Sequence, residues 1–542
     1  MWAHRTLLFA VAAACATDAC TRGVSSTSAP TIVGHPIRLD GSGKLLSWST
    51  AQSPYERVAQ LAWHALETKF AVQDNGLETW LANSRFDPVT FEGVNWPHNP
   101  ASLYAMLTDS AVLWYAYSGD RVAVDLVRKA LDHQIAHGTT GAGWAWSRVP
   151  FASANAGDVD YAGADDAWCD FCGRGDGAGV IEPDKVGELG FGYLQAFEMT
   201  GDARYRDAAI ACADALAGHV RDGDEKRSPW PFRVYARTDV VREEYSSNVV
   251  GALMLFDELR RLSAGDLPAY ARARDVAFGW LMRVPMNNDA WSGYFEDIEI
   301  QRNPAANPNQ YAALRTARWL MAHPTADPQW RSHAAHLLAW AADTFGRDTE
   351  TESGVQWGAV VMSEQAADMA KMGSHTARYG ATVALWSEAT GDVGARERSA
   401  RSLNWATYTC GEDGIVAVGE SKTEGWWFSD GYGDYIRHFL TAMAAVPDWA
   451  PAGRDHLLRS TSVVTWVDYA PGRVSYRTFD ADSTETLRLR SRPRRVVAGS
   501  TVLVEHADAV DEGYRVQPLA SGGAVVLVHH RSANDVAIVL ED

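Results

Sequence analysis

Residue types suited to chemistry concentrate in one stretch, Glu424-Gly-Trp-Trp-Phe-Ser-Asp-Gly-Tyr-Gly-Asp-Tyr-Ile-Arg-His438. Asp430, Asp434 and His438 recur at i, i+4 and i+8, so a helix puts them on one face. Ile436, Phe439, Leu440 and Met443 mark the opposite, buried face. Carboxylates with an imidazole on one side suit proton transfer to a bound molecule. Trp426, Trp427 and Tyr432 add flat apolar surface, which solvated helix faces rarely carry. The plainer reading is an acidic first turn with Ser429 or Asp430 as cap, favoured by the helix dipole.

A second set is Glu182-Pro-Asp-Lys-Val-Gly-Glu188. Pro183 fits the first helical position, and capping alone would account for Glu182 and Asp184. If Glu182, Asp184 or Glu188 faced Asp430 across a cavity, the two would form an acid/base pair. A third set is Lys371, His375 and Tyr379 at four-residue spacing, with Arg378 beside them. A His and a Tyr one turn apart suit proton transfer, and an Arg suits a carboxylate. The alternative is a buried polar network tying helices together. Arg233, Asp297 and Asn309 look like positioning residues, as do Trp96, His98 and Asp166. Asn155, Asp158 and Asp160 lack the EF-hand pattern, and Cys169 and Cys172 have no second Cys-x-x-Cys to complete a metal site. There is no P-loop, dinucleotide glycine turn, HExxH or GxSxG. No metal or cofactor is therefore expected.

An internal repeat positions these sets. A helix, a Gly-Asp turn and a second helix recur around Tyr117-Ser-Gly-Asp120, Met199-Thr-Gly-Asp202, Ser263-Ala-Gly-Asp266, a degenerate Thr325-Ala-Asp327 and Ala389-Thr-Gly-Asp392. Gly in the left-handed region ends one helix, and Asp caps the next. The preceding helices are expected over 99–118, 184–200, 245–262, 308–322 and 371–390. The following ones are expected over 120–136, 202–219, 268–284, 328–345 and 393–408. Helices 54–72 and 431–446 remain, and together they close a ring. The fold class is thus mostly α: an (α/α)6 toroid over 51–450. The other connections (73–98, 137–183, 220–244, 285–307, 346–370 and 409–430) are long and fall at one end. Long loops usually carry function, so the site is expected at that mouth. Beyond Pro447 the period becomes two, which predicts a small antiparallel β-sandwich over 458–542 as an accessory domain.

The six hairpins and the turn Thr200-Gly-Asp-Ala-Arg-Tyr205 resemble the six-hairpin glycosidase superfamily over roughly 54–446. That group holds glycoside hydrolases, unsaturated glucuronyl hydrolases, sugar epimerases and several polysaccharide lyases. The resemblance is architectural and implies carbohydrate chemistry, with no catalytic motif matched residue by residue.

Composition agrees with that direction. The chain has 22 Trp, 19 Tyr and 16 Phe in 542 residues, a supply of platforms for sugar rings. A net charge of −19 argues against nucleic acid or an anionic membrane as partner. Arg5 and the apolar run Leu7 to Ala14 read as an export signal over 1–20, too short to span a membrane. Ala12-Ala-Ala-Cys15 resembles a lipoprotein cleavage box with Ala12 in place of the usual Leu, which makes Cys15 a possible lipid anchor. Residues 21–50 read as a flexible tether. The location expected is periplasmic, outer-membrane-anchored or extracellular.

The leading expectation is an exported glycoside hydrolase acting on an oligo- or polysaccharide, including one that carries uronic acids. Asp430 and an acidic residue of 182–188 would be its acid/base pair. Trp96, Trp426 and Trp427 would stack sugar rings, while Arg233, Arg378 and His375 would select a uronate. One rival is a polysaccharide lyase using Tyr379 or His375. Another is a non-catalytic glycan-binding lipoprotein.

Overall fold

A computed structural model describes residues 31–166, 175–293, 307–346, 357–419, 432–507 and 511–541. Its toroid is built from six inner and six outer helices. They are α1 (Pro54–Thr68), α2 (Pro100–Ser118), α3 (Val122–His137), α4 (Pro183–Thr200), α5 (Ala203–His219), α6 (Val250–Arg261), α7 (Leu267–Arg283), α8 (Gln310–Ala322), α9 (Trp330–Phe345), α10 (Gly373–Thr390), α11 (Val393–Thr407) and α12 (Asp434–Ala445). The even-numbered helices form the inner ring: each packs on the next, and α12 closes against α2. The odd-numbered helices form the outer layer, with α1 packed on α11 and α12.

Local chemistry sets the hairpin turns. Gly119, Gly201 and Gly391 end their helices at φ 76°, 73° and 77°, a region that disfavours a side chain. Asp202, Asp266 and Asp392 then cap α5, α7 and α11 by accepting from the amides of Arg204, Ala269 and Ala395. Proline opens α1, α2 and α4.

Helices α6, α10 and α12, like α8, start two or more residues later than their periodicity predicts. Helix α6 starts at Val250 because Ser246 and Ser247 spend their side chains on the loop carbonyls of Gly293 and Ser292. Lys371 ends a strand (Asp368–Lys371) paired with Ser363–Gln365, and Met372 is extended, so α10 starts at Gly373. Lys371 therefore leaves the helical face of His375, and its Nζ donates to the Phe345 carbonyl at 2.9 Å. Helix α12 begins at Asp434, level with Ser110 halfway down α2, whose hydroxyl accepts from the Arg437 amide at 3.1 Å.

The C-terminal domain is a sandwich of β1 (His456–Ser460), β2 (Val464–Ala470), β3 (Arg473–Thr478), β4 (Ser483–Leu489), β5 (Pro493–Ala498), β6 (Thr501–Val502), β7 (Gly513–Pro518), β8 (Ala524–His530) and β9 (Asp535–Leu540). One sheet has the order β6-β5-β9-β3-β2 and the other β7-β8-β4-β1, with all pairs antiparallel. It sits against the turn end of the ring. His456 stacks on Tyr117 with centroids 3.9 Å apart, and Phe479 meets Phe197 at 5.7 Å. Asp480 pairs with Arg261 at 2.6 Å, and Arg459 pairs with Glu388 at 2.8 Å. These contacts lie at the C-terminal ends of α2, α4, α6 and α10. No helix among the described residues is long and apolar enough to cross a membrane.

The backbones of α4 and α6 pack closely. A Cβ on Gly187 would lie 2.6 Å from the Ala252 amide nitrogen, and one on Gly251 would lie 2.8 Å from the Glu188 nitrogen. Two glycines thus let the backbones touch and fix the height of Glu188. Overpacking of this kind typically costs about 1–3 kcal/mol. Gly251→Ala is accordingly expected to lower the unfolding free energy by about that amount in a denaturant titration. An unchanged midpoint would mean the crossing has slack.

Candidate active site

Inner-helix side chains converge on a cavity of about 330 Å3 within the ring. Its lining runs from Tyr311 in the first turn of its helix, and Glu188 and Arg378 in the second turns of theirs, down to Ala322, His323, Leu385 and Thr441. Those last residues lie at the helices' C-terminal ends, where Ala322 is exposed. The described cavity therefore opens towards the turn end, not the long-loop mouth. Asp297, Trp426, Trp427 and Asp430, all expected at that mouth, lie outside the described residues.

The polar centre is Asp434, wholly buried. Its Oδ2 pairs with Arg378, and its Oδ1 takes Arg437 Nε at 3.1 Å and His438 Nε2 at 3.0 Å. Burial alone would raise this carboxyl, but Arg378, Arg437 and His438 outweigh it and hold it well below the usual range. The amides of the α12 first turn favour the same charge. Two imidazoles extend the cluster. Arginine has only donors, so His375 accepts at Nδ1 from Arg378 Nη1 at 2.7 Å, and its Nε2 sits 3.5 Å from Glu364. His438 gives its Nε2 proton to Asp434, so its Nδ1 accepts from Arg318 Nη1 at 3.4 Å. Burial, with the cationic Arg437 and Arg318, keeps His438 neutral, well below the ordinary imidazole value, despite the opposing pull of Asp434. The result is a continuous line: Glu364, His375, Arg378, Asp434, His438, Arg318.

Glu188 forms a second centre. Its Oε1 accepts from Arg315, from Tyr311 Oη at 3.1 Å and from Asn248 Nδ2 at 3.0 Å. Its Oε2 has no partner among the described residues. The Arg378 guanidinium lies over the Tyr311 ring at 4.5 Å and joins the two centres. Arg437 also reaches Asp109 at 3.1 Å, and Gln195 supports Asp109 at 3.4 Å.

Several expected site residues have other work. Arg233 is 1% exposed and committed to Asp176 at 2.7 Å, Glu182 at 3.1 Å and Glu243 at 3.1 Å. It ties a three-stranded ribbon (Val180–Ile181, Arg233–Tyr235, Val240–Glu243) to the start of α4 and does not line the cavity. Glu182 is sealed in that cluster, where burial and Asp176 push its carboxyl well up. Asp184 is bound by Lys185 at 3.3 Å, and by Ser246 and Asn248 at 3.2 Å each. Tyr379 points into the apolar layer between rings, with Leu314, Phe345 and Met362, and burial pushes its phenol to about 12. Tyr432 packs edge-on to Phe70 at 5.7 Å in an aromatic core. His98 is fully buried against Tyr161, and burial pushes it down to about 3. Trp96 is half-buried with Arg85 over its ring at 5.1 Å, and Asp166 is an exposed loop residue anchored to Asn155. Asn309 caps α8 by accepting from the Ala312 amide at 3.2 Å.

Of the expected set, the structure brings Glu188, His375, Arg378, Asp434 and His438 together. Sequence reasoning missed Asp109, Arg315 and Arg318. The signal for the arginines was present, since Tyr311, Arg315 and Arg318 share one face of α8.

No family model matches the chain, and no curated protein matches it. Solved structures do. The cellobiose 2-epimerase from Spirochaeta thermophila superposes with TM-score 0.52 at 11% identity, covering 73% of this chain and 97% of that one. A sugar epimerase from a ruminal bacterium gives 0.51 at 10%, covering 72% and 98%. A D-mannose isomerase gives 0.51 at 10%, covering 72% and 97%. At these identities the likeness is one of fold alone, an (α/α)6 toroid.

Removing the Asp434 charge would leave Arg378 and Arg437 facing one another in the interior. Breaking a buried pair in this way costs about 3–5 kcal/mol. Asp434→Asn is expected to lose that much unfolding free energy. A loss under about 1 kcal/mol, the size of an exposed pair, would contradict the burial seen here.

Proposed function

We propose that the chain is a carbohydrate-active enzyme whose sugar substrate enters the lumen, and that its reaction is glycoside hydrolysis with Glu188 as base or nucleophile. The carrying observation is the asymmetry of that carboxylate. Three donors fix Oε1, while Oε2 meets no donor among the described residues, on a residue that lines the cavity. An oriented carboxylate with one oxygen left as a spare acceptor is what attack, or activation of a water, requires. Asp434 does not suit the acid role, because three donors hold it ionised. The proton donor is assigned to Asp430, which sequence spacing puts four residues before Asp434. Export through residues 1–20, with Cys15 as a lipid attachment point, belongs to the same proposal.

Sugar epimerisation is the second reading. Two imidazoles, His375 and His438, flank the Arg378–Asp434 pair, and neutral imidazoles suit proton removal beside a carbonyl. Elimination is not advanced, because Tyr379 faces the apolar layer.

A turnover screen on neutral and acidic oligosaccharides, read for new reducing ends and for epimers, separates the readings. Hydrolysis is expected, with kcat falling by about 10²–10⁴-fold in Glu188→Gln and circular dichroism unchanged. Epimers without new reducing ends would sink hydrolysis. Full activity in Glu188→Gln would sink the assignment of Glu188.

A further inference from the structure

Charge in the lumen does not balance. Four guanidinium groups line the cavity, from Arg315, Arg318, Arg378 and Arg437, against the lining carboxylates of Asp109 and Glu188 and that of Asp434, buried behind the wall. All three carboxylates are already paired. Glu188 holds Arg315, Asp434 holds Arg378 and Arg437, and Asp109 holds Arg437. Arg318 is left over. Among the described residues it pairs with no carboxylate, and its polar contact is the neutral Nδ1 of His438 at 3.4 Å. This excess cation sits in a chain of net charge −19. Burial and the neighbouring Arg437 lower its own value to about 10, against the opposing pull of Asp109 and Asp434.

We infer that Arg318 receives an anionic group carried by the sugar, a carboxylate such as that of a uronic acid. The guanidinium fork matches a planar carboxylate in two parallel hydrogen bonds. In the same cavity lining Phe191, Met254 and Trp319 supply apolar surface for the C–H face of a ring. A volume of about 330 Å3 suits a mono- or disaccharide unit. This assignment replaces Arg233 as the selector, because that guanidinium is consumed by three carboxylates. It rests on the reading of the lumen as a sugar site.

The test is calorimetric titration of the full chain with D-glucuronate, D-glucose and sodium sulfate at constant ionic strength. Wild type, Arg318→Gln and Arg318→Lys are compared after their folding is checked by thermal melting. Glucuronate is expected to bind at least about tenfold tighter than glucose. That advantage should vanish in Arg318→Gln and survive in part in Arg318→Lys, which keeps the charge and loses the fork. If Arg318→Gln fails to fold, the drop between wild type and Arg318→Lys decides. Equal affinities for glucuronate and glucose would overturn the proposal, as would a glucuronate preference that survives Arg318→Gln. Sulfate binding as tightly as glucuronate would also overturn it, since the site would then take any small anion. Binding is read without turnover. A glucuronate preference in a protein that releases no reducing ends would therefore sink the hydrolase reading and leave this one standing.

Discussion

Asp434 carries a charge where no water reaches, and the interior of the ring is arranged to compensate it. A lone buried carboxylate would take up a proton. Here Arg378 comes from α10, Arg437 and His438 come from α12, and Arg318 from α8 is linked through His438. Three inner helices are thus held in register by one charge. The cluster fixes the direction of each guanidinium, and so which part of the lumen is positive. Hydrophobic packing alone would not do this, because apolar contacts are non-directional.

The rest of the fold keeps that cluster in place. Left-handed glycines and aspartate caps reverse the chain between inner and outer layers, so every inner helix points the same way. Arg233 and its three carboxylates brace the start of α4, which carries Glu188 one and a half turns later. The glycine crossing of α4 and α6 brings Asn248 within 3.0 Å of Glu188. The sandwich braces the turn end, its contacts falling on four of the inner helices.

The hairpins were legible in the sequence because their determinants are local: a glycine, an aspartate and the periodicity on either side. The late starts of α6 and α10 were not, since the side chains of Ser246 and Ser247 and the pairing of Lys371 depend on distant segments. Glu188, Asp434 and His438 could be read from spacing. Arg233 was misread because its partners come from three segments far apart in sequence. Tyr379 was misread because α10 is buried on both its lumen side and its outer side, so periodicity carries no direction there. Arg315 and Arg318 were overlooked as single charges in a helix with apolar neighbours. Only the ring geometry shows that Arg318 has no carboxylate of its own among the described residues.

The central claim is that Asp434 acts through a neutral His438 to hold Arg318 facing the cavity. Long-range proton–nitrogen NMR on histidine-labelled protein reads this directly, with His438→Gln to assign the signal. The account predicts a neutral imidazole protonated at Nε2 and bare at Nδ1, with no titration between about pH 5 and 8, where an unperturbed imidazole would change charge. An imidazolium protonated at both nitrogens, titrating near the ordinary value of about 6.5, would contradict it, because Arg318 would then have no acceptor.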